Sequence, residues 1–158
     1  MTTTFLLLFF GFTECPDFCP LTLARLSEIT RENEDLADIE KNFSYYLEYT
    51  TPRIVRQDTV KYKNESNSYS IYGVGPAHQF NERTIMMKGR YLNGLDIKNK
   101  TKRAVIGRLV EQDLFGSKNA LGKYIDIGGS AFKVVGVFQD DGGDREERNI
   151  FVPYTTLQ

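Results

Sequence analysis

The pair Gly128-Gly129 constrains the fold more than any other feature of the sequence, because it separates two segments of strand composition. Tyr124–Ile127 precedes the pair, and the valine-rich segment Phe132–Phe138 follows it. Two-residue turns between antiparallel strands need a positive φ at their central positions, which glycine adopts without steric cost. The sequence therefore predicts a β-hairpin whose second arm is a buried central strand.

Short strands and helices are expected around this hairpin. Ala104–Ile106 is an apolar run, and a helical pattern that ends at Gly116 follows it. The helix is expected to bury Leu109, Val110 and Leu114. Further strands are expected at Ile54–Gln57, Thr59–Tyr62, Tyr69–Val74 and Ile150–Pro153, with a polar turn at Lys63–Ser68. Short strands with a few interposed helices indicate a β-rich α+β domain.

The first 30 residues have a different character from the rest. Phe5–Phe12 is apolar but spans only eight residues, whereas a helix needs about 20 to cross a bilayer. A buried strand is therefore the better interpretation of this run. A helix is expected at Leu21–Ile29, and a second short helix is expected to begin near Asp35.

Charge and cysteine content exclude two classes of protein. Lys and Arg number 20 and Asp and Glu number 21, and the two signs are interspersed along the chain. A nucleic-acid partner would require a basic face, so none is expected. Two cysteines are too few for a disulfide scaffold of this length.

Three segments with the composition of functional sites do not complete the patterns that such sites require. Gly116–Tyr124 has five residues between its two glycines, whereas a phosphate-binding loop has four. A tyrosine follows its lysine, where a phosphate-binding loop has a serine or threonine. The acidic segment Asp140–Asp144 lacks the glycine and glutamate positions of a calcium loop. His78 is the only histidine and has no partner nearby in the sequence, so a surface or turn position is expected.

The segment Cys15-Pro-Asp-Phe-Cys19-Pro has more chemical content. The predicted strand before it and helix after it would place both thiols near a helix N-terminus, which lowers thiol pKa values. Soft thiolates also suit Cu(I). Residues 4–29 resemble the signature of the SCO/SenC copper chaperones, thioredoxin-fold proteins that hold copper through two cysteines and a distant histidine. The resemblance implies copper as a cofactor and Cys15 and Cys19 as metal ligands, although His78 matches neither the spacing nor the context of the family's histidine.

A second resemblance covers residues 35–158 and rests on motifs in a fixed order. They are Asp35-Leu-Ala-Asp-Ile-Glu, Thr51-Pro-Arg, Lys88-Gly-Arg-Tyr-Leu, Ala104-Val-Ile-Gly, Leu121-Gly-Lys-Tyr-Ile-Asp-Ile-Gly-Gly, Phe132-Lys-Val-Val-Gly-Val-Phe and Ile150-Phe-Val-Pro-Tyr-Thr-Thr. In order and spacing they are similar to the extracytoplasmic (periplasmic) core domain of MacB-type ABC transporter permeases, a family that includes FtsX-like proteins. We therefore treat residues 1–30 and residues 35–158 as separate predicted domains.

The resemblance to MacB-type permeases implies a two-lobed, non-catalytic domain outside the cytoplasmic membrane. It would be held between membrane helices that this chain does not contain, and ATP would bind a separate domain. No cofactor is expected within residues 35–158. The implied partners are a periplasmic adaptor or another envelope protein, and a second permease in a homodimer. Since the sequence stops at Gln158, we expect it to be truncated relative to the family's full domain.

Three functions stand as predictions from the sequence. The main one is partner docking and the transmission of ATP-driven motion for efflux or export. The alternative is a thiol-based copper-binding or redox module that uses Cys15 and Cys19. A weaker third is a carbohydrate- or peptide-binding β domain, which an exposed tyrosine cluster along Tyr62–Tyr72 would favour.

Overall fold

The structure is a computed structural model that describes residues 51–140 and 143–157. The elements predicted before Thr51, together with Cys15 and Cys19, lie outside the described residues. Those residues form β1 (Arg53–Tyr62), β2 (Glu65–Val74), α1 (His78–Asn81), β3 (Ile85–Gly89), α2 (Gly94–Lys98), β4 (Arg103–Gly107), α3 (Arg108–Phe115), β5 (Tyr124–Ile127), β6 (Ser130–Gln139), a 3-10 turn (Glu146–Arg148), β7 (Asn149–Pro153) and α4 (Tyr154–Leu157). The predicted β-rich α+β class is confirmed.

The hairpin β1–β2 is longer than the sequence indicates. The prediction of two strands before a turn at Lys63–Ser68 was wrong, because β1 is continuous and only Lys63 and Asn64 separate it from β2. Asp58 remains within β1 because its carboxylate accepts a hydrogen bond from the Thr59 amide and another from Arg56. The polar start of β2 is exposed, so its composition resembles that of a turn.

The predicted hairpin around Gly128-Gly129 is confirmed. Ile127 pairs with Ser130, and the two glycines have φ values of 58° and 82°. β6 also pairs with β4 and β3, which makes it a central strand, as predicted. Val134 and Val137 are buried.

The seven described strands form one mixed sheet that closes on itself. Its order is β3-β6-β4-β7-β2-β1-β5, and β5 pairs with β6 as well as with β1. Six strands therefore form a ring, and β3 adds to the far half of β6. Closure protects most strand edges, because each strand of the ring has two neighbours.

Two apolar clusters cover the two faces of this sheet. The larger cluster contains Ile150 and Val152 of β7 with Val60, Ile71, Ile106 and Val137. Phe151 lies between Ile150 and Val152 in the strand, so its side chain points to the opposite face. There it belongs to a second cluster with Val74, Tyr91, Leu92, Val105 and Phe138.

The helix α3 follows β4 directly, as predicted, but its buried face differs in detail. Val110 and Leu114 are buried, Leu109 is half-buried, and Glu111 is 8 % exposed. The buried carboxylate accepts hydrogen bonds from Lys88 Nζ at 2.8 Å and from the Ala120 amide at 3.1 Å. Of the helices in the described ranges, none has the length and apolar content needed to cross a membrane.

Candidate functional site

Two exposed turns lie in adjoining hairpins, at residues 63–64 between β1 and β2 and at residues 128–129 between β5 and β6. β1 and β5 are antiparallel, with Val60 opposite Ile127 and Lys61 opposite Asp126, so the two turns point in opposite directions along the strands. The turn at residues 63–64, which we call the distal turn, lies beside the start of β5, whereas the turn at residues 128–129 lies beside Asp58.

Side-chain contacts fix the position of the turn at residues 128–129. A Cβ atom on Gly128 would lie 2.6 Å from Asp58 Oδ2, so this turn packs directly against β1. The same Asp58 oxygen accepts a 2.8 Å hydrogen bond from Arg56, and Asp126 Oδ1 accepts one from the Gly129 amide. The turn is therefore held against the middle of β1.

Strands β1 and β7, which lie on either side of β2, bring the two ends of the described segment close together. Arg53 pairs with Val74, and Val74 pairs with Pro153, so the three residues are neighbours across β1, β2 and β7. Two strand spacings correspond to about 10 Å. Lys63 lies about 30 Å from Arg53 along the same strand direction. The distal turn is therefore remote from the points where the chain enters and leaves the sheet, whereas the turn at residues 128–129 lies beside the middle of β1.

A buried carboxylate, Asp96, organises the connection from β3 to β4. It is 4 % exposed and accepts hydrogen bonds from Arg90, from the Asn93 amide and from the Thr101 hydroxyl. Burial alone would raise its pKa, but these hydrogen bonds outweigh burial and lower the pKa of Asp96 below its ordinary value of 3.8. The α2 helix that it caps also contacts α4, where Thr155 donates to the Ile97 carbonyl.

The histidine expected at the surface is buried, so that part of the prediction was wrong. His78 is 3 % exposed, its Nδ1 lies 2.9 Å from the Tyr91 hydroxyl, and its ring packs on Phe151 at 4.8 Å. Burial, and then the charge of Arg53, lower the pKa of His78 to about 4. Glu82 is 4.0 Å from its Nε2. A neutral imidazole with an aromatic neighbour is a structural group here.

This burial predicts a pH dependence of folding. The folded-state pKa of His78 lies below the unfolded value of 6.5, so its neutral form favours the folded state. Protonation of His78 should leave the free energy of unfolding unchanged above pH 6.5. It should lower that free energy by about 3 kcal/mol as the pH drops toward 4. Denaturant unfolding of the wild type and His78→Gln across pH 4 to 8 tests this. Equal pH slopes in the two proteins would contradict the assignment.

One open groove of about 190 Å³ lies between β2 and the 3-10 turn. Arg145, Glu146, Arg148 and Asn149 line one side, and Gln57, Ser68, Tyr69, Ser70 and Tyr72 line the other. Arg148 donates to Asp113, and Asn149 donates to Glu146, so these charged groups are already engaged. The groove lacks the paired acid and base that catalysis would need.

The other predicted sites are placed as follows. Gly116 ends α3 and Tyr124 begins β5, so the rejected phosphate-loop segment is a helix end and a connection, as expected. Tyr69 is buried and donates to Asp113, while Tyr62 and Tyr72 are half-buried. The exposed tyrosine cluster of the third hypothesis is therefore not formed.

The copper hypothesis stays a prediction, because Cys15 and Cys19 lie outside the described residues. Within the ranges 51–140 and 143–157, no group of three His, Cys, Asp or Glu side chains has metal-binding geometry.

The signal that sequence reasoning missed is Asn93-Gly-Leu-Asp96, a capping box that marks the start of α2.

Solved structures show the same fold. The periplasmic region of MacB from Actinobacillus actinomycetemcomitans superposes with a TM-score of 0.68 at 23 % identity, over 79 % of this chain and 57 % of that one. The extracellular domain of the noncanonic ABC-type transporter YknZ from Gram-positive bacteria gives a TM-score of 0.67 at 20 % identity, over 77 % and 63 %.

Sequence relatives agree with the structural matches. The macrolide export ATP-binding/permease protein MacB of Campylobacter jejuni is 34 % identical over 118 residues, which are 71 % of this chain and 18 % of that protein. MacB of Wolinella succinogenes is 31 % identical over 109 residues, 66 % of this chain and 17 % of that protein. This chain thus spans about a fifth of the length of these relatives.

The family model described as "MacB-like periplasmic core domain" matches residues 18–158. The match covers the whole closed sheet and both turns, at residues 63–64 and 128–129. The resemblance predicted from the ordered motifs is confirmed, and the chain belongs to the family of MacB-like periplasmic core domains.

Proposed function

We propose that this chain is the extracytoplasmic domain of an ABC transporter permease of the cytoplasmic membrane, and that it docks a periplasmic adaptor at the distal turn. The domain is not catalytic in this proposal. It transmits motion that ATP hydrolysis drives in a separate domain, and the permease acts as a homodimer in efflux or export.

The observation that carries the proposal is the position of the distal turn relative to the chain ends. Arg53 and Pro153 are neighbours across three strands, so a displacement of the entering and leaving segments acts on one end of the sheet. The distal turn lies at the far end of the same ten-residue strands. A closed sheet transmits such a displacement with little internal deformation, because its interior is close-packed.

Polar side chains in the described residues also favour docking over chemistry. Asp96, Glu111 and Glu147 are the buried carboxylates, and each accepts hydrogen bonds from the protein itself. Such groups stabilise the connections between strands rather than face a substrate.

Asn64→Trp in the complete permease tests the docking site. The indole would occupy the distal turn, so the affinity for the periplasmic adaptor should fall at least tenfold, because interface cores are closely packed. Asn99→Trp is the matched control, since Asn99 is equally exposed but follows α2, which packs near the chain ends. Fluorescence titration with purified adaptor measures both. Equal affinities for the two variants would exclude the distal turn as the docking site.

A further inference from the structure

A basic loop follows α2, and we give this name to residues 98–103. Their sequence is Lys-Asn-Lys-Thr-Lys-Arg, so four of the six residues are cationic and none is acidic. Thr155 of α4 donates to the Ile97 carbonyl, and α4 begins directly after Pro153 at the end of β7. β4 starts at Arg103 and runs antiparallel to β7, which also places the loop near the end of β7. The basic loop therefore lies beside the points where the chain enters and leaves the sheet, remote from the distal turn.

Hydrogen bonds to α2 hold the basic loop in one conformation. The Asn99 amide donates to the Leu95 carbonyl at 3.0 Å, and the Thr101 amide donates to the Asp96 carbonyl at 3.0 Å. The Thr101 hydroxyl also donates to the buried Asp96 carboxylate at 3.0 Å. Lys100 has a φ of 48°, a left-handed conformation that is typical just after the end of a helix. The lysines of the loop are therefore presented from a fixed backbone.

The charges of Lys98, Lys100 and Lys102 are not compensated within the part of the chain that the structure describes. All three residues are exposed, and none takes part in an ion pair of the described residues. Lys102 Nζ donates to a serine hydroxyl at 3.1 Å, which is a neutral group. Asp96, the nearest acidic residue in the sequence, is already committed to its own ion pair. Since the whole chain has a formal net charge of −1, the loop is a local concentration of positive charge.

An exposed leucine lies on the same side of α2 as the first of these lysines. Leu95 is 65 % exposed and precedes Lys98 by three residues, a spacing that places two side chains on one face of a helix. An apolar side chain beside several basic ones is typical of segments that lie on a membrane, where the apolar group enters the acyl boundary and the lysines reach the headgroups. A carboxylate-rich protein surface would match the lysines alone.

We propose that the basic loop and Leu95 bind the surface of a membrane that contains anionic phospholipids. This proposal rests on the proposed function, because a permease that docks its adaptor at the distal turn directs the opposite end of the sheet toward the cytoplasmic membrane. Each exposed lysine near an anionic surface adds to the attraction, which weakens as salt rises. The contact holds the end of the sheet on which the entering and leaving segments act.

Tryptophan fluorescence tests the membrane contact directly, because the 158-residue chain contains no tryptophan of its own. The single indole of Leu95→Trp should shift its emission to shorter wavelength when phosphatidylglycerol vesicles are added, since the ring leaves water for the membrane interface. Asn64→Trp carries the same reporter at the distal turn and should not shift. An unchanged emission of Leu95→Trp, or an equal shift in both variants, would overturn the proposal.

Vesicle binding at low salt measures the contribution of the charges. Lys98→Gln/Lys100→Gln should bind phosphatidylglycerol vesicles about tenfold or more weakly than the wild type, because two charges are lost from the membrane surface. Lys61→Gln/Lys63→Gln removes two exposed lysines at the distal turn and should bind like the wild type. Equal weakening in the two double variants would contradict the proposal.

Two competitors identify any other anion that the basic loop prefers. Tighter binding of polyglutamate than of vesicles at equal charge concentration would assign the loop to an acidic protein and overturn the membrane contact. Loss of vesicle binding in inorganic phosphate at constant ionic strength would assign the loop to free phosphate instead. The membrane contact predicts neither result, because Leu95 gains only from a lipid surface.

The vesicle measurements do not use the adaptor, so their outcome is independent of the proposed docking site. If Asn64→Trp weakens adaptor binding but Leu95→Trp does not respond to vesicles, the distal turn stands as the docking site and the membrane contact fails. If Leu95→Trp responds while Asn64→Trp and Asn99→Trp bind the adaptor equally, the docking site fails and the membrane contact stands.

Discussion

Gly89→Ala is expected to destabilise the domain by about 3 kcal/mol or more, because glycine is required there for two independent reasons. Its φ of 71° costs a side-chain-bearing residue about 1–2 kcal/mol. A Cβ atom would also lie 2.2 Å from the Val135 carbonyl oxygen, which accepts the Arg90 amide hydrogen bond. Since that oxygen belongs to the central strand β6, it cannot move without disturbing the pairing with β3.

Two glycines serve as matched controls for this substitution. Gly129 has a φ of 82° but no atom within 4 Å of its Cβ position, so Gly129→Ala should cost only about 1 kcal/mol. Gly94 has neither restriction and lies in α2, so Gly94→Ala should be neutral or slightly stabilising. Urea unfolding gives the three values. A loss at Gly89 no larger than at Gly129 would show that β3 adjusts to the side chain.

Local signals in the sequence predict the parts of this fold that depend on local geometry. The β5–β6 hairpin is one such part, because Gly128-Gly129 specifies a two-residue turn irrespective of the rest of the chain. The continuity of β1 was missed because the charged residues at its centre satisfy one another only once the strand has formed. Composition therefore resembles a turn where the structure has a strand.

Contacts between distant segments account for the remaining differences. His78 is buried by Tyr91 and by Phe151 of β7, and neither partner can be identified from the sequence around the histidine. Sheet closure depends on β1 meeting β5 more than 60 residues later, which alternation of apolar residues does not encode. The candidate docking site, the distal turn, is far from the chain ends because β1 and β2 are continuous ten-residue strands, which the local composition does not indicate.

Asp96→Asn is expected to reduce stability by about 2–3 kcal/mol at neutral pH, because the carboxylate accepts charge-assisted hydrogen bonds and caps α2. Arg90 is 45 % exposed at its side chain and can regain water when its partner is lost, which keeps the cost below that of a fully buried pair. The variant should also loosen α4, since α2 accepts the Thr155 hydrogen bond. Hydrogen exchange at the amides of α2 and α4 would report this loosening.

Acid titration distinguishes the charge of Asp96 from its packing. Its folded-state pKa is depressed, so its contribution is present above the unfolded value of 3.8 and is lost as pH falls through the folded value. The stability difference between wild type and Asp96→Asn should therefore shrink below about pH 4, whereas the His78 effect develops above that pH. Asp113→Asn is the control, because Asp113 pairs with a half-exposed arginine and should cost under about 1 kcal/mol. A difference at Asp96 that is constant with pH would assign its role to side-chain shape, and the connection from β3 to β4 would then not depend on the ion pair.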